Sequence, residues 1–290
     1  MRNTTSIHRL KISELDVVDE VIIAAYGLAQ GRKSTLQRYL ALQPDGAFVA
    51  EQDGVVVGFG AAIQYATFAY IGLMAVHPGA QKQGIGSLVL QHILNWLDAS
   101  GCPTVLLDAS PSGAPLYYRA GFVEDDVTVV LHSGNGQTDS ASRAKMNLRD
   151  CAVVLSEIEL PALFGYDAYY FGSERATVLA SYWANDPQRV LVTHNVEGQI
   201  TGYLIAQSSV LGPWVADTKK DARRLLISAL TLPFKNKPGM FVSAANKDAL
   251  ELFEQYSFGP QRTLRHMRRG KKVQRARSTA LYGQASLGLG

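Results

Sequence analysis

Two glycines at the start of a helical pattern form the feature of this sequence with the clearest chemical use. Gly84 and Gly86 stand just before apolar residues that repeat at helical spacing over residues 85–97. Glycine lets the backbone approach a ligand closely, and the first N–H groups of a helix have no partner within it. The helix dipole adds partial positive charge at the same end. The pattern therefore predicts a site that binds a phosphate group through backbone amides.

Two better-known glycine motifs for phosphate do not match this stretch. A P-loop requires Lys and then Ser or Thr after its last glycine, and that pair is missing here. A dinucleotide-binding fingerprint requires a third glycine at the position where Val89 stands. A glycine turn before an ordinary helix is the alternative without a ligand, and the neighbouring segments decide between the two.

Two further segments flank the glycines at fixed separations. Residues 72–78 (Gly-Leu-Met-Ala-Val-His-Pro) come before them, and residues 117–122 (Tyr-Tyr-Arg-Ala-Gly-Phe) follow. Together the three segments resemble the Gcn5-related N-acetyltransferase (GNAT) family. Its motifs are a strand leading to Gln/Arg-x-x-Gly-x-Gly/Ala and, later, Tyr-x-x-x-Gly-Phe. The resemblance covers about residues 5–131 and implies an N-acetyltransferase that uses acetyl-coenzyme A (acetyl-CoA).

The resemblance implies the residues that bind coenzyme A (CoA). The pyrophosphate would lie on the loop formed by Gln81, Lys82, Gln83, Gly84, Ile85, Gly86 and Ser87. The pantetheine arm, which carries two amides, would pair as an added strand with the edge formed by Met74, Ala75 and Val76. Ser110 stands where the family often has an asparagine that bonds to this arm. The expected cofactor is thus acetyl-CoA as co-substrate, without a metal.

The resemblance also implies a general acid. Tyr117, four residues before Gly121, would lie near the thioester sulfur and protonate the departing thiolate. Its neighbour Tyr118 is easily confused with it, and the spacing to Gly121 favours Tyr117. A core aromatic on a short helix is the structural alternative for Tyr117.

The sequence leaves open which group deprotonates the acceptor amine. Candidates near the substrate are Asp108 at the end of a strand, Tyr26 between the first two helices, and Asp167 in the second half. Each has a structural alternative: a loop cap, a packing aromatic, and a helix or domain-interface anchor, respectively. His77, His132 and His194 lie at predicted strand ends, where satisfying a turn is the more typical role.

The second half of the chain repeats the order of elements of the first half. It resembles a group of tandem acetyltransferase proteins whose C-terminal domain keeps the GNAT fold without the CoA motif. The matching landmarks are Asp167, Phe171, Gly172, Arg175, Gly212, Pro213, Ala216, Asn246, Met267, Gly270 and residues 281–288. At the position equivalent to the glycine loop, residues 215–220 contain no glycine and an anionic Asp217. We therefore expect the second half not to bind CoA.

The expected fold is α/β (α+β), with two GNAT-like acyltransferase folds in tandem. Each fold has a mixed, mostly antiparallel sheet flanked by helices. The predicted N-terminal acetyltransferase domain spans residues 1–133 and the predicted C-terminal domain residues 148–290. Residues 134–147 between them are rich in Gly, Asn and Ser, which is typical of a linker.

Composition and charge exclude several classes of protein. Hydrophobic residues make up 47% of the 290, enough for two cores, and the apolar runs are too short for a membrane span. The two cysteines lie far apart, which favours a reducing, cytoplasmic location over a disulfide. Residues 262–277 contain eight basic and no acidic side chains. Without interleaved aromatics, a solvated strand is favoured there over a nucleic-acid surface.

The sequence thus predicts direct transfer of an acetyl group to an amine of a small molecule or peptide. No residue has the surroundings of a covalent nucleophile. The alternatives are a catalytically silent sensor of acyl-CoA and a nucleic-acid or ribosome-associated acetyltransferase that uses residues 262–277. The sequence specifies neither the acceptor nor the oligomeric state.

Overall fold

The computed structural model describes residues 4–134 and 151–290. Apart from Gly134, the predicted linker lies outside the described residues. The strands of the first half are β1 (Thr5–Arg9), β2 (Ala47–Gln52), β3 (Val55–Gln64), β4 (Ala69–Val76), β5 (Thr104–Ala109) and β6 (Val123–Ser133). Its helices are α1 (Leu15–Tyr26), α2 (Lys33–Leu42), α3 (Ile85–Ala99) and α4 (Ala114–Arg119).

The second half has the same order of elements. Its strands are β7 (Val153–Val154), β8 (Val190–His194), β9 (Ile200–Ala206), β10 (Leu211–Ala216), β11 (Gly239–Ser243), β12 (Phe258–Gly270) and β13 (Leu281–Gly283). Its helices are α5 (Leu160–Phe171), α6 (Ala176–Asn185), α7 (Lys219–Leu230) and α8 (Lys247–Gln255). In the described residues, no helix is both long and apolar enough to cross a membrane.

Strand pairing does not follow the predicted division into residues 1–133 and 148–290. The first sheet has the order β1-β2-β3-β4-β5-β12-β6-β11, so two strands of the second half belong to it. The second sheet has the order β13-β10-β9-β8-β7. Between β5 and β6 the first half leaves room for one strand, and β12 fills it with antiparallel partners on both sides. Apolar alternation fixes the face that a strand buries but not its neighbour, so the sequence did not predict this exchange.

Three apolar cores hold the layers together. One lies between the first sheet and α3, and another lies between the second sheet, α7 and α8. The third core takes residues from both halves, including Tyr39, Tyr70, Phe171 and Tyr203. The two folds are therefore joined by a shared core as well as by exchanged strands.

Residues 284–290 run along β4 on the side of this shared core. Hydroxyls of Tyr39 and Tyr65 donate to the carbonyls of Gly288 and Leu289 at 2.7 and 2.8 Å. A Cβ atom on Gly72 of β4 would come within 2.6 Å of the Gly288 Cα. Glycine is thus required where this segment crosses the sheet, and the segment forms a wall against β4.

Candidate active site

The two central parallel strands of the first sheet separate and leave a gap. β4 and β5 pair only at Ala69 with Val105 and at Tyr70 with Leu106. Shortly after this pair β4 contains a bulge, and Leu73 at the bulge has a φ of 56°. A bulge bends its strand away from the regular ladder. Beyond Tyr70 the inner edge of β4 therefore faces the strand gap, as we call this opening between β4 and β5.

Backbone groups of β4 point into the strand gap. The His77 N–H donates to the Val57 carbonyl at 2.8 Å, so by antiparallel alternation the N–H groups of Met74 and Val76 face away from β3. The carbonyls of these two residues accept from the Tyr26 hydroxyl at 2.9 Å and the Gln81 amide at 3.0 Å, respectively. The predicted edge thus presents amide donors to a partner that lies in the gap.

The glycine loop, residues 81–87, lies at the end of β4 where the gap opens. Gly84 is the N-cap of α3 with a φ of 84°, and Lys82 has a φ of 62°. The Leu88 N–H, which donates to the Gly84 carbonyl at 3.0 Å, makes the first bond of the helix. Within the described residues, the amides of residues 82–87 have no backbone partner. The loop therefore offers several free N–H donors together with the positive end of the helix dipole.

Gly86 is not required by the fold of the protein itself. It lies in the first turn of α3, and a Cβ there would make ordinary contacts of 3.6 Å with Val76 and 3.7 Å with Leu116. Glycine within a helix costs up to about 1 kcal/mol relative to alanine. Gly86 therefore keeps open a space between the end of β4 and α4, beside the glycine loop where the sequence predicts the pyrophosphate. The residues present fit CoA.

Tyr117 and Tyr118 lie on opposite sides of α4. Tyr117 is 8% exposed and packs edge-to-face on Phe122, with ring centroids 5.8 Å apart. Tyr118 is exposed, and its hydroxyl bonds to Glu124 and accepts from Arg265. Burial raises the pKa of Tyr117, and the neighbouring Tyr26 adds to this effect. The Tyr117 hydroxyl therefore stays protonated. It has no partner in the described part of the chain, so it can donate to a ligand.

Tyr26 and Ser110 lie at the two sides of the gap. Tyr26, on the β4 side, is half exposed and donates to the Met74 carbonyl. Ser110 follows β5, and its hydroxyl accepts from the Gly113 N–H at 3.1 Å, which stabilises the turn into α4. Both residues are thus near the expected path of the cofactor, and each also satisfies a backbone group.

Asp108 belongs to a buried polar cluster at the closed end of the gap. Its side chain is 0% exposed and accepts from Thr128 at 2.6 Å, from the Tyr70 hydroxyl, and from His266 Nδ1 at 3.1 Å. The cluster Tyr70–Asp108–Thr128–His266 spans four strands of the first sheet. Sequence analysis missed His266, since it stands among basic residues of the second half and no spacing ties it to Asp108.

Asp167 lies away from the gap, in the shared core. Its side chain is 0% exposed and binds Arg175 through two bonds, at 2.8 and 2.9 Å, and also accepts from Tyr203. The Arg175 guanidinium stacks over Phe171 and donates to the Gly290 carbonyl at 2.9 Å. The structure thus connects Asp167 to the interface between the halves and not to the other predicted site residues.

Asp167→Ala is expected to lower the free energy of unfolding by about 3–5 kcal/mol, because it leaves the Arg175 charge buried without its partner. Urea unfolding followed by tryptophan fluorescence measures this loss. Glu174→Ala, an exposed neighbour, is the matched control and should change stability by less than about 0.5 kcal/mol. Equal stability of the two variants would contradict a structural role for Asp167.

In the second sheet, β10 holds the position that β4 holds in the first, but its inner edge is occupied. β13 pairs with β10 at Trp214 and Val215, and the Gln284 N–H donates to the Phe241 carbonyl of β11 at 2.9 Å. Tyr282 of β13 stacks on Trp214 with ring centroids 5.4 Å apart. A segment of the chain itself therefore lies where a pantetheine arm would pair.

The position equivalent to the glycine loop is also filled in the second half. Asp217 accepts from the hydroxyls of Tyr166 and Tyr170 at 2.9 and 2.6 Å. Burial, together with the bond to Asp217, raises the pKa of Tyr170 to about 12. Thr218, and not a glycine, is the N-cap of α7 and accepts from the Asp221 N–H. A carboxylate with two tyrosine partners thus stands where an anion would have to bind.

Three basic side chains of residues 262–277 form ion pairs within the protein. Arg268 and Arg269 form ion pairs with Asp125 and Asp98, and Arg265 pairs with Glu124. The stretch consists of the C-terminal part of β12 and the segment that follows it. Among the described residues, no three His, Cys, Asp or Glu side chains converge to hold a metal ion.

Comparison with known proteins shows the family of this chain. A model of the acetyltransferase (GNAT) family matches residues 17–122, and a second acetyltransferase (GNAT) domain model matches residues 163–283. The two matches together take in most of the sequence, including the strand gap and the glycine loop. The chain therefore belongs to the GNAT acetyltransferase family and contains two GNAT folds in tandem.

Solved structures extend the similarity over the whole chain. A putative acetyltransferase from Pyrococcus horikoshii has a TM-score of 0.84 and 25% identity, covering 99% of this chain and 96% of that one. A GCN5-related N-acetyltransferase from Sphaerobacter thermophilus has a TM-score of 0.70 at 14% identity, covering 91% and 95%, respectively. The second comparison shows a shared fold.

A curated relative matches a shorter region. A mycothiol acetyltransferase from Streptomyces avermitilis is 34% identical over 95 residues, which cover 31% of this chain and 31% of that protein. The aligned region thus spans about a third of the relative's length. Taken with the family models, it supports acyl transfer as the general activity.

Proposed function

We propose that this protein transfers the acetyl group of acetyl-CoA directly to an amine of a small molecule or peptide, at a single site in the strand gap. The observation that carries the proposal is the inner edge of β4, whose Met74 and Val76 amides face a gap with the glycine loop at its mouth. Extended chains with amides bind to such an edge as an added strand. CoA has an arm of this kind that ends in a pyrophosphate.

The chain supplies binding and proton transfer. Amides of residues 82–87 and the α3 dipole hold the pyrophosphate, and the β4 edge orients the arm. Acetyl-CoA would supply the activated thioester. Tyr117, kept protonated by burial, donates its hydroxyl proton to the sulfur as the carbon–sulfur bond breaks. The acceptor nitrogen attacks the acetyl carbonyl carbon without a covalent enzyme intermediate.

Release of free thiol from acetyl-CoA tests the proposal across a panel of polyamines, amino acids, peptides and small aromatic amines. Acetylated product, identified by mass spectrometry, should form with at least one class of amine. Gly86→Glu is the negative control, because it should block the glycine loop while leaving the second half unchanged. Tight CoA binding without any acetylated amine would contradict the proposal and favour an acyl-CoA sensor.

One CoA per chain is the expected stoichiometry, since β13 and Asp217 fill the equivalent positions of the second half. Calorimetric titration of the wild-type protein should saturate near one equivalent. In Gly86→Glu the same titration should show no remaining tight site. Saturation at two equivalents would contradict the assignment of a degenerate second half.

The proposal does not extend to nucleic acid as a partner. The ion pairs of Arg265, Arg268 and Arg269 support this choice, because paired side chains are not free for phosphates. A polynucleotide affinity that falls steeply with salt would contradict it, since phosphate binding releases counterions.

A further inference from the structure

We propose that His266, which β12 brings from the second half, is the general base that deprotonates the acceptor amine. This inference rests on the proposed function and assigns the group that the sequence left open. Asp108 acts through His266 as a positioning residue. The geometry that supports it is that of the polar cluster at the closed end of the strand gap.

Position is the first argument. The last pair that joins β4 to β5 is Tyr70 with Leu106, and Asp108 follows two residues later on β5. His266 is the direct cross-strand partner of Asp108 on β12. Two residues of a strand span about 7 Å. His266 therefore lies beside the closed end of the gap, at the end opposite to the glycine loop, where an arm that enters along β4 places its reactive end.

The tautomer of His266 is the second argument. Asp108 accepts from Thr128 and Tyr70, so its carboxylate presents lone pairs to His266 Nδ1 at 3.1 Å. Only an Nδ1–H avoids two facing lone pairs. In the neutral ring the proton therefore sits on Nδ1, which leaves the Nε2 lone pair that a base needs.

Access to Nε2 is the third argument. Within residues 4–134 and 151–290 this nitrogen has no hydrogen-bond partner, and it is not among the fully buried unpaired atoms. The His266 side chain is 10% exposed, so Nε2 keeps a small solvent-accessible surface. Close by, the Gln284 Nε2 lies 3.5 Å from the Tyr70 hydroxyl, and the Gln284 Oε1 is buried without a partner.

The charged and titratable groups around His266 come from every neighbouring element. Tyr70 on β4, Asp108 on β5 and Asp126, its partner on β6, share its face of the sheet. Arg275, in the segment after β12, lies near enough to Tyr70 and Asp108 to interact electrostatically with both. Asp108 is thus the carboxylate that contacts the imidazole, and Asp126 stands at the paired position on the neighbouring strand β6.

His266 and Tyr117 each transfer one proton in the proposed reaction. The acceptor arrives as an ammonium, and His266 Nε2 takes one of its protons before the nitrogen attacks. A second proton leaves the nitrogen as the amide forms and passes through solvent to the Tyr117 oxygen, where it replaces the proton that Tyr117 gave to the sulfur. The imidazolium returns its proton to water. The net products are the acetylated amine, the free thiol and one released proton.

His266→Gln tests the proposal in the full-length protein, with acetyl-CoA and an amine that the wild type acetylates. We expect kcat to fall about 10²–10⁴-fold, with little change in the KM for acetyl-CoA or in CoA affinity by calorimetry. The activity that remains should rise about tenfold per pH unit below the pKa of the amine, because only free amine reacts. His132→Gln, at a strand end of β6, is the matched control and should act like the wild type.

Asp108→Asn provides a second variant. An asparagine can donate to Nδ1, which moves the proton to Nε2, so kcat should again fall about 10²–10⁴-fold with CoA affinity kept. Wild-type rates and pH profile in His266→Gln would overturn the role of His266 and leave the proposed function intact. A wild-type protein that acetylates no amine would overturn both.

Discussion

Tyr117→Phe is expected to lower kcat by about 10²–10⁴-fold, the usual contribution of a positioned proton donor. The substitution keeps the ring that packs on Phe122 and removes only the hydroxyl. KM for acetyl-CoA should change little, because the lost bond forms mainly in the transition state. Steady-state thiol release with a reactive amine measures both constants.

Tyr118→Phe is the internal control for this result. Tyr118 is adjacent in sequence but turned to the outer face of α4, where it contacts Glu124 and Arg265. Its loss should leave kcat within about twofold of the wild type, as for other surface changes remote from the chemistry. A larger effect from Tyr118 than from Tyr117 would show that the wrong tyrosine has been assigned.

Gly86→Glu is expected to weaken CoA binding by at least about 100-fold. The new side chain extends into the space between Val76 and Leu116, and its charge repels the pyrophosphate. Loss of even one or two hydrogen bonds to a charged group, at about 1.5–3 kcal/mol each, is enough for an effect of this size. Calorimetric titration with CoA measures it directly.

Folding should survive this change, since Gly86 has an ordinary helical backbone and open space at its Cβ position. Gly84 is a less suitable site, because its φ of 84° strains any other residue. Gln91→Glu adds the same charge on the exposed face of α3 and should leave CoA affinity unchanged. Unchanged affinity in Gly86→Glu would contradict the assignment of the glycine loop.

In the proposed reaction, the second half contributes structure to a site in the first half. It supplies β12, and with it His266, to the first sheet, and residues 284–290 form a wall along β4. Its own gap is filled by β13. The proposed absence of a CoA site does not make the second half dispensable. Without the second half, the first sheet would lack β12.

The sequence by itself was sufficient to predict the two GNAT folds, the glycine loop before α3 and the strand that leads to it. It also favoured Tyr117 over Tyr118, and in the structure Tyr117 is the one that points inward. These features depend on short spacings, because a helix start, a strand edge and the face of one helical turn are set by residues close together in the chain. The binding and catalytic roles given to them remain proposals.

Only the tertiary structure decided which distant residues meet. His266 and Asp108 are 158 positions apart, and their contact depends on β12 entering the first sheet. Asp167, predicted near the substrate, lies instead in a buried ion pair with Arg175. β13 occupies the gap of the second sheet. Hydrogen bonding between strands is the same for any partner of suitable pattern, so packing of the whole chain, and not local sequence, selects the neighbour.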